Sequence, residues 1–213
     1  LPRGDEQDGR LVGLKSTTAR IDNLIAKKTR FIDRLREKRR ALITLAVTKG
    51  LEAAVPMKDS GVEWIGKVPA HWDVAATRRN FAFNPSKREI FRRDGPTDVS
   101  FLPMEAIGET GSLDISRTRH VREVESGYTY FADGDVVIAK ITPCFENGKG
   151  AAVSGLVGGA GFGTTELIVM RPISFVSQQF AWWLLSSAGF REYAGAHMEG
   201  SAGQKRVQDD WLK

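Results

Sequence analysis

The first quarter of the chain carries a single helical pattern. From Ile21 onward, apolar residues recur at alternating steps of three and four, the spacing that keeps side chains on one face of an α-helix. Thr17 or Thr18 is a suitable N-cap, and Gly50 stands where a glycine commonly ends a helix. We therefore predict one helix over residues 17–48, about 30 residues and about 45 Å long.

The apolar stripe of this predicted helix needs a partner. A long helix with one apolar stripe cannot bury that stripe by itself, so another helix must lie alongside it, in this chain or in another. The side chains predicted to pack against the partner helix are those of Ile21, Ile25, Ile32, Leu35 and Leu42.

The pattern changes after Gly50. Residues 51–72 contain several Pro and Gly residues and no sustained period, which predicts a linker. Beyond them, short apolar runs alternate with glycine-containing turns, which predicts a mixed α/β domain over residues 73–213. The predicted fold class is α+β, with a long N-terminal coiled-coil-type helix and a remnant N-terminal tail in residues 1–50, followed by the mixed α/β domain.

Individual elements of this domain follow from its apolar runs. The glycine-rich stretch 155–163 is predicted to be a loop that separates the last two strands. Strands are predicted at residues 72–77, 99–102, 136–139, 151–153 and 167–170, and helices at residues 175–185 and 187–194.

Charge is unevenly distributed along the chain. The net charge is +5, yet residues 1–50 hold 13 Lys and Arg against 6 Asp and Glu, so their balance is +7 and residues 51–213 have a balance of −2. Eight basic residues lie between Lys27 and Arg40. A solvated outer helix face explains such a run more simply than direct contact with DNA does.

Composition excludes several classes of protein. The single cysteine, Cys144, cannot form a disulfide framework or a multi-cysteine zinc site, and this favours a reducing cytoplasm. His71, His120 and His197 lie far apart, so no metal site is expected. The longest apolar run, at residues 180–185, is far shorter than the roughly 20 residues that span a bilayer, so we expect no membrane partner.

The chain lacks the common catalytic motifs that would fit its composition. Residues 61–68 match the first part of a phosphate-binding loop but end in Val68, where Ser or Thr must reach the magnesium ion. The string Asn84-Pro85-Ser86 is the nearest to an adenine methyltransferase loop and lacks its second proline and aromatic residue. We therefore predict no catalytic residues and no cofactor.

Residues suited to a nucleic-acid ligand lie in two loops. Residues 140–149 follow the strongest predicted strand, and residues 201–206 combine small residues with two cations. Lys and Arg suit phosphates, whereas Thr, Asn and Gln suit base edges. Alternatively, the first loop serves only to hold a strand end. The residues predicted to bind DNA are Lys140, Thr142, Asn147, Lys149, Gln204, Lys205 and Arg206.

These motifs together resemble the specificity subunits of type I restriction-modification systems. The resemblance covers roughly residues 14–213. Residues 18–51 are similar to the spacer helix of that family, and residues 58–72 to the segment that opens a target recognition domain. The recurring motifs of that domain are matched by residues 101–105, 134–149, 163–166 and 203–207.

The resemblance implies a DNA-recognition subunit without catalytic activity of its own. Family members typically carry two target recognition domains, each reading one half of a split site, held apart by two antiparallel helices. The resemblance therefore implies a spacer helix in residues 1–50, a linker in 51–72 and one target recognition domain in 73–213, which would read one half-site. The implied partners are double-stranded DNA, modification (methyltransferase) and restriction subunits, and a second spacer helix from the same subunit or a second copy.

Two alternatives from other classes remain open from the sequence. The chain could be a nucleic-acid-modifying enzyme with an unrecognised motif, which turnover of S-adenosylmethionine would reveal. It could also be a helix-mediated assembly protein whose globular domain binds protein, and the balance of −2 over residues 51–213 favours this alternative somewhat.

Overall fold

A computed structural model describes residues 3–52, 54–92, 96–173, 175–201 and 203–212. The chain divides into two compact units, Leu1–Leu42 and Ile43–Lys213. The first is part of a long helix and the second is rich in β-sheet, in agreement with the predicted α+β class. Within the described residues, no helix combines the length and the apolar character that crossing a membrane requires.

Helix α1 (Gly4–Lys49) begins well before the predicted start. Thr17 is therefore not an N-cap, and its hydroxyl donates to the carbonyl of Gly13 within the helix, at 2.9 Å. Residues 4–16, which belong to the predicted remnant tail, are helical, while residues 1–2 lie outside the described part. An ion pair between Glu6 and Arg10, one turn apart at 2.7 Å, supports this earlier start.

The predicted stripe lies along the exposed surface of α1. Its five side chains, those of Ile21, Ile25, Ile32, Leu35 and Leu42, are each between 47% and 58% exposed. The burial that the stripe requires is therefore not supplied by the described residues of this chain.

The last turn of α1 belongs to the second unit. Val47 and Thr48 are buried, and the Lys49 ammonium donates to the carbonyl of Lys67 at 2.6 Å. That carbonyl belongs to a two-stranded antiparallel sheet of β1 (Met57–Asp59) and β2 (Lys67–Pro69). The predicted linker thus contains a small sheet that is fastened to the end of the helix.

Two four-stranded sheets form the body of the second unit. The central sheet has the order β3-β10-β7-β8 and is antiparallel throughout, whereas the outer sheet has the order β5-β4-β9-β6 and contains one parallel pair, β4 with β9. The strands are β3 (Phe81–Phe83), β4 (Asp98–Leu102), β5 (Thr118–His120), β6 (Thr129–Ala132), β7 (Val136–Ala139), β8 (Gly150–Ala152), β9 (Ala160–Gly163) and β10 (Leu167–Pro172).

Four shorter α-helices lie among the described residues of the unit. They are α2 (Val121–Val124), α3 (Gln178–Leu185), α4 (Ala188–Ala196) and α5 (Asp209–Leu212). The two helices predicted at 175–185 and 187–194 are confirmed as α3 and α4, with slightly different bounds.

The strand predictions are confirmed where the apolar runs are buried. They are wrong at residues that are mostly exposed and in the glycine-rich stretch. Strands β4, β7, β8 and β10 lie at or within a residue or two of their predicted positions. No strand forms at 72–77, where most residues are exposed. The stretch 155–163 is not all loop, because it ends in β9, where a Cβ added to Gly161 would lie 2.4 Å from the Phe131 ring. Glycine there permits close packing within a strand.

Strand β7 is buried on both faces. Val136 and Ile138 pack in a cluster with Trp182 of α3, whereas Val137 packs on the opposite face with Phe131 of the outer sheet. Because neighbouring residues of a strand point to opposite faces, this double burial explains the continuous apolar run in the sequence.

A buried ion pair braces the central sheet beside β7. Asp135 is fully buried and accepts from the Arg171 guanidinium at 2.6 and 2.9 Å. Its carboxylate also accepts from the Ala132 amide at 2.8 Å. On its other side, Arg171 donates to both carboxylate oxygens of Glu89 at 2.8 Å.

Replacing Arg171 tests how much of the fold depends on this pair. Arg171→Met should lower the free energy of unfolding by about 3–5 kcal/mol, because Asp135 would be left as an unpaired buried charge. Urea unfolding followed by tryptophan fluorescence reports on the second unit, since Trp64 is the first tryptophan of the sequence. Arg117→Met removes the exposed pair with Glu105 in the same unit and should leave the unfolding curve almost unchanged. Equal unfolding curves for the two variants would contradict this role.

Candidate functional site

The neighbouring ends of β7 and β10 form the floor of the candidate site. Ala139 pairs with Leu167, and the Lys140 amide then donates to the Glu166 carbonyl at 2.8 Å. The chain continues from Lys140 into the first predicted loop, residues 140–149, and returns as β8. The site therefore begins where two buried strands fix the backbone.

The 140–149 loop is held by successive turns. The Phe145 amide donates to the Ile141 carbonyl at 2.9 Å, and the Asn147 amide donates to the Pro143 carbonyl at 3.0 Å. The Phe145 side chain is fully buried beneath the loop. A shape set by internal hydrogen bonds and one buried anchor gives the exposed side chains defined positions.

The second predicted loop lies beside the first. It forms a hairpin over residues 199–206, in which Glu199 and Arg206 exchange two backbone hydrogen bonds of 3.0 and 2.8 Å. Its residue 202 lies outside the described part. The Thr142 amide donates to the Lys205 carbonyl at 3.0 Å, and the Val207 amide donates to the Lys140 carbonyl at 2.9 Å. Two segments that are distant in sequence thus form one surface.

Four of the predicted DNA-binding side chains are available to a ligand. The side chains of Asn147, Gln204 and Lys205 are exposed, and that of Lys140 is half-buried. No hydrogen bond to another group is recorded for these four side chains within the described residues. Their two ammonium groups and two amides match phosphate oxygens and base edges respectively.

The other three predicted side chains contact the protein itself. The Thr142 hydroxyl donates to Glu146 at 2.9 Å, and the Lys149 ammonium donates to the Met104 carbonyl at 2.7 Å. Arg206 donates from Nε and Nη2 to the two carboxylate oxygens of Glu166, at 2.9 and 2.7 Å. The hydrogen bonds from Arg206 hold the pKa of Glu166 below its usual range.

Sequence reasoning missed two residues of this surface. Glu166 lies in the motif at residues 163–166 but is not among the predicted site residues, although a carboxylate beside a strand end and a cluster of cations is a usable signal. Arg191 carried no such signal because its role depends on tertiary packing. It lies beneath the 140–149 loop, where it donates to the Phe145 carbonyl at 3.0 Å and stacks 4.6 Å from the Phe145 ring centre.

Arg191 is a buried cation with incomplete hydrogen bonding. Its Nε and Nη2 atoms have no hydrogen-bond partner among the described residues, and burial lowers the pKa of Arg191 to about 10. The side chain supports the loop from below and cannot reach a ligand at the surface. Within the described residues, no group of three or more His, Cys, Asp or Glu is placed to hold a metal ion.

The chain is similar in sequence to two specificity subunits from Escherichia coli. It is 41% identical over 144 residues to the type I restriction enzyme EcoAI specificity subunit, and 41% identical over 145 residues to the EcoEI specificity subunit. Each match covers 66% of this chain and 24% of the relative, so the matched region spans about a quarter of the length of these relatives. No protein-family model matches the chain.

One solved structure shows the same kind of fold, and a second shows a weaker match. A chain from a study of complex assembly and conformational transition of the type I R-M system matches 100% of this chain and 46% of its own length, with a TM-score of 0.50 and 14% identity. The HsdS subunit from Thermoanaerobacter tengcongensis matches 91% of this chain and 43% of its own length, with a TM-score of 0.42 and 15% identity.

The low pKa of Glu166 makes its contribution to stability dependent on pH. A carboxyl group with a lowered folded-state pKa adds stability above its unfolded-state pKa and loses it as pH falls through the folded-state pKa. At about pH 7, Glu166→Gln should be less stable than the unsubstituted chain by on the order of 1 kcal/mol, because the pair with Arg206 is partly exposed. This difference should shrink as the pH is lowered to about 3.

Thermal unfolding at both pH values measures the difference. Glu192→Gln alters an exposed carboxylate on α4 and should match the unsubstituted chain at neutral pH. A difference between Glu166→Gln and the unsubstituted chain that stays constant with pH would contradict the assignment.

Proposed function

Because this chain is a relative of the type I restriction enzyme specificity subunits, as its motifs predicted, we propose that it recognises DNA sequence without catalysing a reaction. In this role it reads one half of a bipartite target as a fragment or half-subunit. The observation that carries the proposal is the adjacency of the 140–149 loop and the 199–206 hairpin, which places two cations and two amides on one surface.

The contacts divide into those that set position and those that specify sequence. Lys140 and Lys205 contact phosphates, which fixes the register of the domain on the duplex. Asn147 and Gln204 contact base edges in the major groove, where Asn and Gln can pair bidentately with adenine. Thr142 is a further candidate for a contact to a base edge. Its hydroxyl must first give up the hydrogen bond to Glu146.

Two of the predicted cations have a more limited role in this proposal. Lys149 can reach a phosphate only by giving up the Met104 carbonyl. Arg206 is engaged by Glu166 in the same way. The affinity for DNA thus depends on few free charges, in keeping with the balance of −2 over residues 51–213.

Helix α1 serves as a spacer and docking surface. Its exposed stripe, from Ile21 to Leu42, packs against a second spacer helix, either from the same subunit or from a second copy. Modification (methyltransferase) and restriction subunits assemble around this helical part. The negative balance of residues 51–213 favours one other function, a helix-mediated assembly protein whose globular domain binds protein.

Substitutions in the hairpin test the DNA-binding proposal. Lys205→Ala should weaken binding to every duplex and reduce the dependence of log K on log salt by about one unit, because one phosphate contact is lost. Gln204→Ala should leave that slope unchanged and relax the preference at one base position, since a base contact is lost.

Fluorescence anisotropy with labelled duplexes at several salt concentrations gives both quantities. Equal losses on all sequences for both variants would contradict this division of roles. Binding of the unsubstituted chain that does not respond to salt would contradict the DNA-binding function itself.

Substitutions in α1 test the role of the stripe. The chain alone should associate with itself through this face, and Ile25→Asp should abolish the association because a charge would be buried between the helices. Asn23→Asp places the same charge about 160° around the helix from Ile25, on the face away from the stripe, and should leave association unchanged. Sedimentation velocity measures both variants. A monomeric unsubstituted chain would argue against pairing with a second copy, and equal effects of the two substitutions would argue against pairing through the stripe.

A further inference from the structure

We propose that Arg206 is a positioning residue, which together with Glu166 locks the 199–206 hairpin to the 140–149 loop and does not itself contact DNA. This inference rests on the proposed function and departs from the phosphate contact that the sequence predicted for Arg206. It adds Glu166 to the residues that determine specificity.

Arg206 is the residue at which three segments meet. Its backbone pairs with Glu199 across the hairpin and with Ile141 at the start of the 140–149 loop. Its guanidinium reaches Glu166, the residue before β10. Backbone hydrogen bonds from Thr142 to Lys205 and from Val207 to Lys140 join the hairpin segment to the start of the loop. The side-chain pair adds a link to the residue before β10.

The guanidinium is already occupied by protein groups. Nε and Nη2 form a two-pronged pair with the carboxylate, at 2.9 and 2.7 Å, and Nη1 donates to the Gln204 carbonyl at 3.3 Å. A phosphate at this position would approach the Glu166 carboxylate as well as the cation. Like charges would then oppose the contact. Phosphate binding is better served by Lys205 and by Lys140, whose ammonium interacts with Glu166 through space but is not hydrogen-bonded to it among the described residues.

The pair controls where the hairpin presents its side chains. Gln204 and Lys205 directly precede Arg206, and base-specific hydrogen bonds require side chains to be held within about 0.5 Å of their productive positions. A hairpin that is no longer paired with Glu166 keeps its charges, but its side chains are no longer held in these positions. Nonspecific attraction to DNA therefore survives, whereas discrimination between sequences declines.

Five variants separate positioning from phosphate contact, the fifth being the charge-swapped variant Glu166→Arg with Arg206→Glu. The unsubstituted chain, Glu166→Gln, Arg206→Met, the double variant and Lys205→Met are each bound to a target duplex and to a scrambled duplex over a range of salt concentrations. Each protein is assembled with its modification subunit, and the target is selected beforehand from a random duplex pool.

The expected pattern has three parts. Lys205→Met lowers the salt slope by about one unit. Arg206→Met keeps the slope, and both Glu166→Gln and Arg206→Met lose about tenfold in preference for target over scrambled duplex, as expected for one misplaced base contact. The double variant loses no more than either single variant, because both remove the same link. The charge-swapped variant Glu166→Arg with Arg206→Glu recovers part of the preference.

A different pattern would overturn the proposal. If Arg206→Met lowers the salt slope as Lys205→Met does, while Glu166→Gln keeps the sequence preference, Arg206 is a phosphate contact. Thermal unfolding identifies any variant that fails to fold, and in that case the charge-swapped variant and Glu166→Gln decide the question.

Hydrogen exchange without DNA tests the link independently of the proposed function. The amides of Thr142 and Val207 join the hairpin to the loop, so their exchange should accelerate in both Glu166→Gln and Arg206→Met. Unchanged exchange in both variants would contradict the link even if DNA binding is confirmed. Faster exchange in a chain whose duplex binding does not respond to salt would support the link and reject the DNA-binding function.

Discussion

The antiparallel pairing of β7 with β10 positions every group that we assign to DNA recognition. Both strands are buried, so a shift of one residue would move their apolar side chains to the wrong faces. Their last pair, Ala139 with Leu167, sets Lys140 beside Glu166. From that point the 140–149 loop leaves in one direction, and the 199–206 hairpin attaches through Arg206. The recognition surface is thus an extension of a fixed sheet register.

The same rigid core explains how a surface with few free charges can be selective. Arg206 is paired with Glu166, and Lys149 is used to hold the Met104 carbonyl. Cations used inside the protein no longer attract DNA of any sequence, but they hold neighbouring amides in place. In this account the domain gains specificity from position, while much of the affinity comes from Lys140, Lys205 and the subunits that assemble around α1.

Much of the fold could be predicted from the sequence, because long periodic patterns and double burial leave clear signals. The helical period corresponds to α1, and the apolar run corresponds to β7. The two segments with side chains suited to a nucleic-acid ligand correspond to the 140–149 loop and the 199–206 hairpin. The helix start was missed because residues 4–16 lack the strong stripe that follows them. Strand β9 was missed because its glycines make room for the Phe131 ring, which lies far away in sequence. The Glu166 and Arg206 pair could not be predicted either, since it depends on tertiary packing between segments 40 residues apart.

The most direct test of the account is hydrogen exchange of the chain, assembled with its modification subunit, in the presence and absence of a bound duplex. The account predicts that bound DNA slows amide exchange in the 140–149 loop and the 199–206 hairpin. Exchange in the β1–β2 sheet should change little. Slowed exchange confined to the β1–β2 sheet or to β5, with both loops unchanged, would contradict the assignment of this surface to DNA recognition.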